Sequence, residues 1–192
     1  MANFVSKSAD IVEIPITKEM RDFAQANAHK GSMNKHSLLQ GAQNVEGLLA
    51  ELAVHRYLPM LSHDPGNEYD FTFPYNTGTF TIDVKNKFDV KRYGTRPNMD
   101  WDCTIFGYEV KKKCDIYLFT STNGDNTKVW LKGYIAKKRF VLPENFYKAG
   151  STRTTTQGSV NYKRDNYVVQ VKELYPVEFL KKRLSAVIAL QT

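Results

Sequence analysis

The sequence repeats one short pattern, an acidic residue two positions before a lysine, at residues 83–85, 89–91 and 109–111. A carboxylate beside an ammonium group can hold a divalent cation and orient a water molecule, which is the chemistry that phosphodiester hydrolysis requires. At average residue usage, about one such pattern is expected in a chain of this length. The pattern therefore identifies a site only together with the elements that position its side chains.

The first triplet ends a segment in which polar and apolar residues alternate strictly, TFTIDVK, and the preceding segment YDFTF alternates in the same way. This period of two predicts two strands that pair as a hairpin. Asp83 and Lys85 would share the polar side of the second strand, and Asp70 would lie on the polar side of the first. The hairpin would then bring Asp70 and Asp83 within reach of one divalent ion.

The other two triplets lack this support. Residues 89–91 lead into a basic turn, KRYGTRP, where Asp89 is interpreted as a solvated charge. Residues 103–113 are predicted to form a helix, in which Glu109 and Lys113 make a surface pair four positions apart. The first triplet is therefore the predicted site, and its alternative is a structural ion pair on a solvated face of the sheet.

A third carboxylate comes from an upstream helix. Ser37 and Gln40 form a capping box, and the apolar stripe that follows them predicts a helix over about residues 38–58. Glu51 lies at one border of that stripe, and Glu46 lies at the opposite border as the rival acid. The sequence favours Glu51 without excluding Glu46.

In chain order, these features resemble the PD-(D/E)XK nuclease superfamily, which includes restriction-endonuclease-like, RecB-like and Holliday-junction-resolvase-like proteins. The matching features are GxxAE at residues 47–51, Asp70, the triplet at 83–85 and the apolar segment DIYLFT. The resemblance covers roughly residues 44–121. It implies an α/β fold with a restriction-endonuclease-like αβββαβ core, a mixed central sheet flanked by helices, and an added C-terminal strand and helix. The helix predicted around Glu109 would be the crossover to the next strand.

The resemblance also assigns roles. Glu51, Asp70 and Asp83 would ligate one or two Mg²⁺ or Mn²⁺ ions, and the carbonyl oxygen of Val84 would add a ligand. Lys85 would position or polarise the attacking water. The residues themselves indicate that Asp83 and Asp70 keep Lys85 protonated, which favours orientation or charge stabilisation over action as a base.

The chain departs from the family pattern at three points. Tyr69 stands where the family name has proline, and Asp83 fills a position that is often Glu. No separate strand is predicted between Leu58 and Tyr69. The sequence therefore leaves the number of strands in the core open.

The remaining elements are predicted to complete one domain, residues 1–192, with the nuclease-like core at about 37–140. Thr17 caps a first helix that ends near Gly31. The runs DIYLFT and KVWLKGYIAK predict two strands, the first of them central. Residues 148–166 are predicted to be a mobile basic loop, followed by the strand YVVQV. A C-terminal helix is predicted at about 176–190, with Val177, Leu180, Leu184 and Val187 on its inward side.

A net charge of +7 and a pI near 9.3 favour a polyanionic partner, which we expect to be DNA, with RNA left open. The predicted nucleic-acid contacts are Lys87, Lys91, Arg92, Arg96, Arg153, Lys163 and Arg164. Tyr93 and Trp101 are candidates for base stacking, and a place in the core is the alternative for Trp101. His55, one turn after Glu51, is either a contact of the site or a half-exposed helix residue.

The predicted function is divalent-metal-dependent hydrolysis of DNA, in recombination, repair, restriction or phage DNA processing. A catalytically inactive nucleic-acid-binding protein of the same fold is the first alternative, and a basic protein unrelated to nucleic acid is the second. The two cysteines show no disulfide or zinc pattern, and the N-terminal residues form no apolar segment, so we expect a soluble protein of the bacterial or phage-infected cytoplasm. Exonuclease or endonuclease action, and action as a monomer or homodimer, stay open.

Overall fold

The computed structural model describes residues 10–28, 44–63, 69–75, 78–89, 96–155 and 158–190. Within them the chain is a mixed α/β structure with one large mixed sheet, one three-stranded sheet, one separate hairpin and four helices. The strands are β1 Val12–Pro15, β2 Ser62–His63, β3 Phe71–Tyr75, β4 Gly78–Asp89, β5 Asp102–Phe106, β6 Ile116–Asn123, β7 Lys128–Ala136, β8 Phe146–Tyr147, β9 Thr152–Thr155, β10 Gly158–Asn161 and β11 Asn166–Gln170. The helices are α1 Lys18–Asn27, α2 Asn44–Tyr57, α3 Lys137–Phe140 and α4 Val177–Ala189.

The large sheet has the strand order β1-β7-β6-β4-β3-β2. Strands β4 and β6 run parallel, and the other neighbouring pairs are antiparallel. All eight residues of β6 are buried, which confirms that DIYLFT begins a central strand. Strand β4 is therefore held along its length by a rigid neighbour, which is the support that a precise site requires.

Helix α2 covers one face of this sheet and forms the first core with it. Leu49, Ala50, Ala53 and Val54 are fully buried on the helix, and the small alanines allow close packing against the strands. Burying a leucine or valine side chain contributes about 1.5–3 kcal/mol, so this stripe fixes how the helix is rotated on the sheet. The border of the stripe, where Glu51 lies, then points towards the edge of the sheet.

The opposite face of the sheet packs on a second core. Tyr117 and Phe119 of β6 meet Phe140 of α3, with ring centroids 5.3 and 5.5 Å apart. In the parallel register, Asp83 is paired with Tyr117 and Lys85 with Phe119. Because paired residues of neighbouring strands share a face, Asp83 and Lys85 lie beside the second core rather than on a solvated face.

The helix predicted for residues 103–113 is wrong. The segment begins as strand β5, in which Cys103 and Ile105 are buried while Thr104 and Phe106 are exposed, and β5 pairs with β11 in the second sheet of order β5-β11-β8. Only the short 3₁₀ turn Glu109–Lys111 is helical. The alternation in CTIF is the signal for a strand, and its pairing with a segment far along the chain outweighed the local helical preference.

The loop predicted for residues 148–166 is also wrong in part. Strands β9 and β10 form an antiparallel hairpin within it, with Gly158 paired to Thr155 and Asn161 to Thr152. Threonine-rich stretches favour extended backbone, because a branched Cβ packs well on a pleated surface. The described part of the segment is thus a β-hairpin rather than an irregular loop.

Other elements follow the sequence more closely. The Thr17 side chain accepts the N–H of Met20 and caps α1, while α4 follows Pro176 with Val177, Leu180 and Leu184 buried, as predicted. Helix α2 begins at Asn44 in the described residues, and its predicted capping box lies outside them, as does the predicted end of the first helix. None of the helices described is long and apolar enough to cross a bilayer.

Candidate active site

The site lies where strand β3 leaves strand β4. Their pairing runs from Tyr75 and Gly78 to Phe71 and Ile82, and the N–H of Asp70 then donates to the carbonyl of Ile82 at 3.0 Å. Beyond Ile82, β4 continues along β6 alone. From the first triplet onwards, the edge of β4 that faces β3 is therefore free of strand pairing in the described residues and open to other groups. The short strand β2 on the far side of β3 is the strand that the sequence did not predict.

Where β3 no longer pairs with β4, the Asp70 side chain supplies a hydrogen-bond acceptor for the backbone of β4. Its Oδ2 atom accepts the N–H of Val84 at 2.6 Å. The N–H and C=O of a strand residue point to the same side, so the Val84 carbonyl faces the same open edge. Burial raises the pKa of Asp70 well above its usual range, and the charges of Glu51 and Asp83 raise it further, against the Val84 hydrogen bond and Lys85. Asp70 is thus one of three neighbouring carboxylates, and the charges of the other two, Glu51 and Asp83, act on it.

Asp83 and Lys85 form a buried ion pair on the adjoining face of β4. Lys85 Nζ lies 2.9 Å from Asp83 Oδ2, and the two side chains are 16% and 2% exposed. The Oδ2 atom of Asp83 nevertheless accepts no hydrogen bond of normal geometry from the described residues. The predicted alternative of a solvated ion pair is therefore wrong, because this pair is enclosed by the second core.

Glu109 is the second partner of Lys85. Its Oε2 atom lies 3.3 Å from Lys85 Nζ, and the helix that was predicted to place it one turn from Lys113 is only a 3₁₀ turn. Burial lowers the pKa of Lys85, but the charges of Asp83 and Glu109 outweigh this effect and raise it. Lys85 is therefore a fixed cation at neutral pH, as the sequence indicated. Glu109 lies 24 residues after Lys85 in the sequence and meets it only in the folded chain. No local sequence pattern could therefore have identified it as part of the site.

Glu51 reaches the site from α2. Its Oε2 atom lies 2.9 Å from Nε2 of His63, which belongs to β2. His63 and His55 flank the buried ring of Phe71, with centroid distances of 5.3 and 6.3 Å. His55 thus lies on an exposed part of α2 against Phe71, while His63 is the histidine that contacts a predicted ligand. No spacing in the sequence singled out His63.

Asn86 is a positioning residue that the sequence did not indicate. Its Nδ2 donates to the backbone carbonyl of Glu46 at 3.1 Å, and its Oδ1 accepts the hydroxyls of Thr120 and Thr122 at 2.9 and 3.1 Å. The side chain therefore ties the first turn of α2 to β4 and β6. Of the two candidate helix acids, Glu51 is the one whose charge acts on Asp70.

The donor atoms at the site suit a hard divalent cation. Mg²⁺ prefers oxygen ligands and commonly takes only one or two protein carboxylates. Asp70 and Asp83 offer two, and the Oδ2 atom of Asp83 accepts no hydrogen bond of normal geometry from the described part of the chain although it lies 2.9 Å from Lys85 Nζ. No group of three or more His, Cys, Asp or Glu side chains in the described residues is arranged to hold a metal. The three-carboxylate ligand set thus stays a prediction.

The predicted nucleic-acid contacts divide into three groups. Lys87 is exposed on β4, two residues beyond Lys85, and Lys163 and Arg164 are exposed after β10. Arg96 donates to the carbonyl of Ile11 at 2.6 Å, and Arg153 is paired with Asp102, so both cations have structural partners. The predicted contacts Lys91 and Arg92, with Tyr93, lie outside the described residues. Trp101 is buried in the second core, which was the alternative for it.

No family model matches the chain, and neither the curated proteins nor the solved structures include a significant match to it. The resemblance to PD-(D/E)XK nucleases is therefore a prediction that depends on the motifs and geometry of this chain alone.

Proposed function

We propose that this chain is a divalent-metal-dependent deoxyribonuclease with a restriction-endonuclease-like core. The observation that carries the proposal is the enclosed Lys85, bracketed by Asp83 and Glu109 and adjacent to Asp70 at the open edge of β4. Burying a lysine and several acids is costly, and such clusters occur at functional sites more often than elsewhere. A structural role alone gives no reason to place the charges of Glu51 and Asp83 beside a third, buried carboxyl, Asp70.

The order of elements supports this assignment. Helix α2 is followed by the antiparallel strands β2, β3 and β4, and a crossover then leads to β6, parallel to β4. This corresponds to the αβββαβ order, except that strand β5 and a 3₁₀ turn occupy the crossover where a helix is expected. The proposed core therefore keeps the elements that carry the acids and the lysine.

The residues divide the chemistry among them. Asp70, Asp83 and the Val84 carbonyl would hold Mg²⁺ or Mn²⁺, with Glu51 on the helix side. When bound, the ion supplies a water of lowered pKa and Lewis-acid contact with phosphate oxygens. Lys85 is a cation held in place by two carboxylates, so it can orient the nucleophile and stabilise negative charge that develops on phosphorus.

The raised pKa of Asp70 adds a pH dependence. A carboxylate must lose its proton before it can bind a cation, so metal affinity falls as pH drops through that raised value. A bound cation would also relieve the repulsion between Asp70 and its acidic neighbours. We therefore expect Mg²⁺ affinity to rise with pH in the range where Asp70 ionises, and calorimetric titration at several pH values measures this directly.

The experiment is a cleavage assay on linear, circular, single-stranded and branched DNA, with Mg²⁺, Mn²⁺ or EDTA. Wild-type protein should cut with either metal and not with EDTA, while Asp83→Asn and Lys85→Ala should lose cleavage. Asp89→Asn in the second triplet is the matched control and should retain it. Cleavage that survives both substitutions at the first triplet would exclude this site, and loss only with Asp89→Asn would move the site to the second triplet.

One observation favours the non-catalytic alternative. Each predicted carboxylate ligand already has a partner within the protein: Lys85 for Asp83, His63 for Glu51 and the Val84 N–H for Asp70. A DNA-binding protein that has lost activity would keep such internal pairs. Salt-dependent DNA binding without cleavage in Mg²⁺ or Mn²⁺ would support this alternative.

A further inference from the structure

An aromatic and basic cleft lies beside the second sheet, outside the proposed catalytic residues. Its volume is about 500 Å³, within the range of about 300–1,000 Å³ that is typical of small-molecule sites. Tyr108, Phe146 and Tyr167 supply its aromatic walls, and Lys163 and Arg164 supply its cations. Tyr108 is 45% exposed and Phe146 is 39% exposed, so large ring surfaces face the solvent there.

At the cleft, the backbone of Gly107 packs closely against Asp165. The Gly107 N–H donates to the Asp165 carbonyl at 2.8 Å, and a Cβ atom on Gly107 would lie 3.1 Å from the Asp165 Cβ. The Asp165 carboxylate accepts the N–H of Ala149 at 2.8 Å. The acid of the cleft is thus engaged by the backbone.

The two cations keep their charge available to a ligand. Among the described residues, neither Lys163 nor Arg164 has a carboxylate within ion-pair distance. The Arg164 guanidinium lies 5.7 Å from the centroid of the Phe106 ring. That ring stacks on Tyr108 at 5.6 Å with an interplanar angle of 12°. A planar guanidinium over stacked rings is an arrangement that accepts both a base and a phosphate.

The cleft adjoins the proposed catalytic residues. Tyr108 is followed directly by Glu109, which contacts Lys85 at 3.3 Å. Burial and Glu109 raise the pKa of Tyr108, whereas Arg164 and Lys85 oppose the shift, so the hydroxyl lies within the influence of both groups of cations. A strand whose backbone passes Lys85 could therefore continue into the cleft.

We propose that this cleft binds one unpaired nucleotide, with its base against the aromatic side chains and its phosphate against Lys163 and Arg164. A base inside a duplex is stacked on its neighbours and offers only its edges, so it cannot place a face on Tyr108 or Phe146. The substrate would then be single-stranded DNA, or DNA with a frayed or branched unpaired end. This inference rests on the proposed nuclease function for its choice of DNA.

The test is binding without cleavage, measured in EDTA by fluorescence anisotropy with a labelled single-stranded 12-mer and with the same strand annealed to its complement as a blunt, fully paired duplex. Tyr108→Leu and Phe146→Leu should weaken single-strand binding by about 5-fold or more each, the lower end of what one stacked base contributes, and leave duplex binding unchanged. Phe179→Leu, at an equally exposed ring on α4, is the matched aromatic control. Arg164→Gln should weaken single-strand binding and reduce its salt dependence, whereas Lys138→Gln on α3 should not alter the single-strand preference.

Equal losses for the two substrates, or no loss, would overturn the proposal, provided that thermal unfolding shows the variants to be folded. A parallel cleavage assay with Mg²⁺ on the same variants, together with Asp83→Asn and Lys85→Ala, separates the two proposals. If Lys85→Ala abolishes cleavage but Tyr108→Leu and Phe146→Leu keep wild-type binding, the cleft inference fails and the catalytic site stands. If the aromatic variants lose single-strand binding while Asp83→Asn and Lys85→Ala still cleave, the catalytic assignment fails and the cleft stands.

Discussion

The enclosed ion pair of Asp83 and Lys85 makes a quantitative prediction about stability. Replacing Lys85 by Met keeps most of the side-chain volume but removes the cation nearest to Asp83, whose side chain is only 2% exposed. Breaking a buried pair by removing one partner typically costs about 3–5 kcal/mol, because the remaining charge is left without compensation. For a protein of this size each kcal/mol lowers Tm by about 2–4 °C, so Lys85→Met should lower Tm by roughly 6–20 °C.

The chain offers a matched control at the surface. Lys128 and Glu13 are 2.8 Å apart, almost the same separation as in the buried pair, but their side chains are 41% and 43% exposed. Solvent screens such a pair, and exposed pairs contribute about 0–1 kcal/mol. Lys128→Met should therefore change Tm by no more than about 4 °C. The difference between the two variants reports burial together with the second carboxylate partner of Lys85, Glu109, because the shortest N–O distances of the two pairs are nearly equal.

Urea unfolding of the two single variants and of the double variant Asp83→Leu with Lys85→Met measures these costs. Replacing both partners of a buried pair by apolar residues is often neutral or stabilising, so the double variant should recover most of the lost free energy of unfolding and still lack cleavage. Recovery of stability without activity would indicate that the pair is retained for chemistry. Equal destabilisation by Lys85→Met and Lys128→Met would refute the reasoning, since burial would then have no effect.

Four further substitutions test the site and the packing of the elements around it. Burial, followed by the charges of Glu51 and Asp83, raises the pKa of Asp70, so ionising Asp70 costs stability as pH rises from the ordinary range of an aspartic acid through the raised value. Asp70→Asn should therefore gain stability relative to wild type between pH 4 and pH 8 in urea titrations, and a constant difference across that range would contradict this. Asn86→Ala removes the hydrogen bonds that link α2 to β6, so it should lower the free energy of unfolding by about 1–3 kcal/mol and reduce cleavage. Unchanged stability would show that these hydrogen bonds do not hold the helix to the sheet. Gly133 has φ 144°, and a Cβ atom there would lie 2.7 Å from other atoms, so Gly133→Ala should lower Tm. Gly47 lies in α2 with open space around a new Cβ, so Gly47→Ala should raise the free energy of unfolding by about 0.5–1 kcal/mol. Gly47→Ala should also lower cleavage if DNA approaches the helix there.

Short-range patterns in the sequence were enough for the elements that carry the first triplet. Period-two alternation predicted the β3 and β4 hairpin, and it placed Asp83 and Lys85 on one side of a strand because successive side chains must alternate. The Thr17 cap and the apolar stripe of α4 were predicted for the same reason, since capping and helical periodicity act within a few residues. The candidate acids and the charge of Lys85 belong to this locally determined part.

Tertiary structure decided what those residues face. Residues 103–106 became a strand because β11, far along the chain, supplies its hydrogen-bond partners, and no local preference contains that information. The same chain folding brings Glu109 to Lys85, His63 to Glu51, and the second core over the ion pair. The sequence was enough to identify the candidate residues. Their burial and their partners depend on contacts between segments that are far apart in the sequence, so only the folded chain shows them.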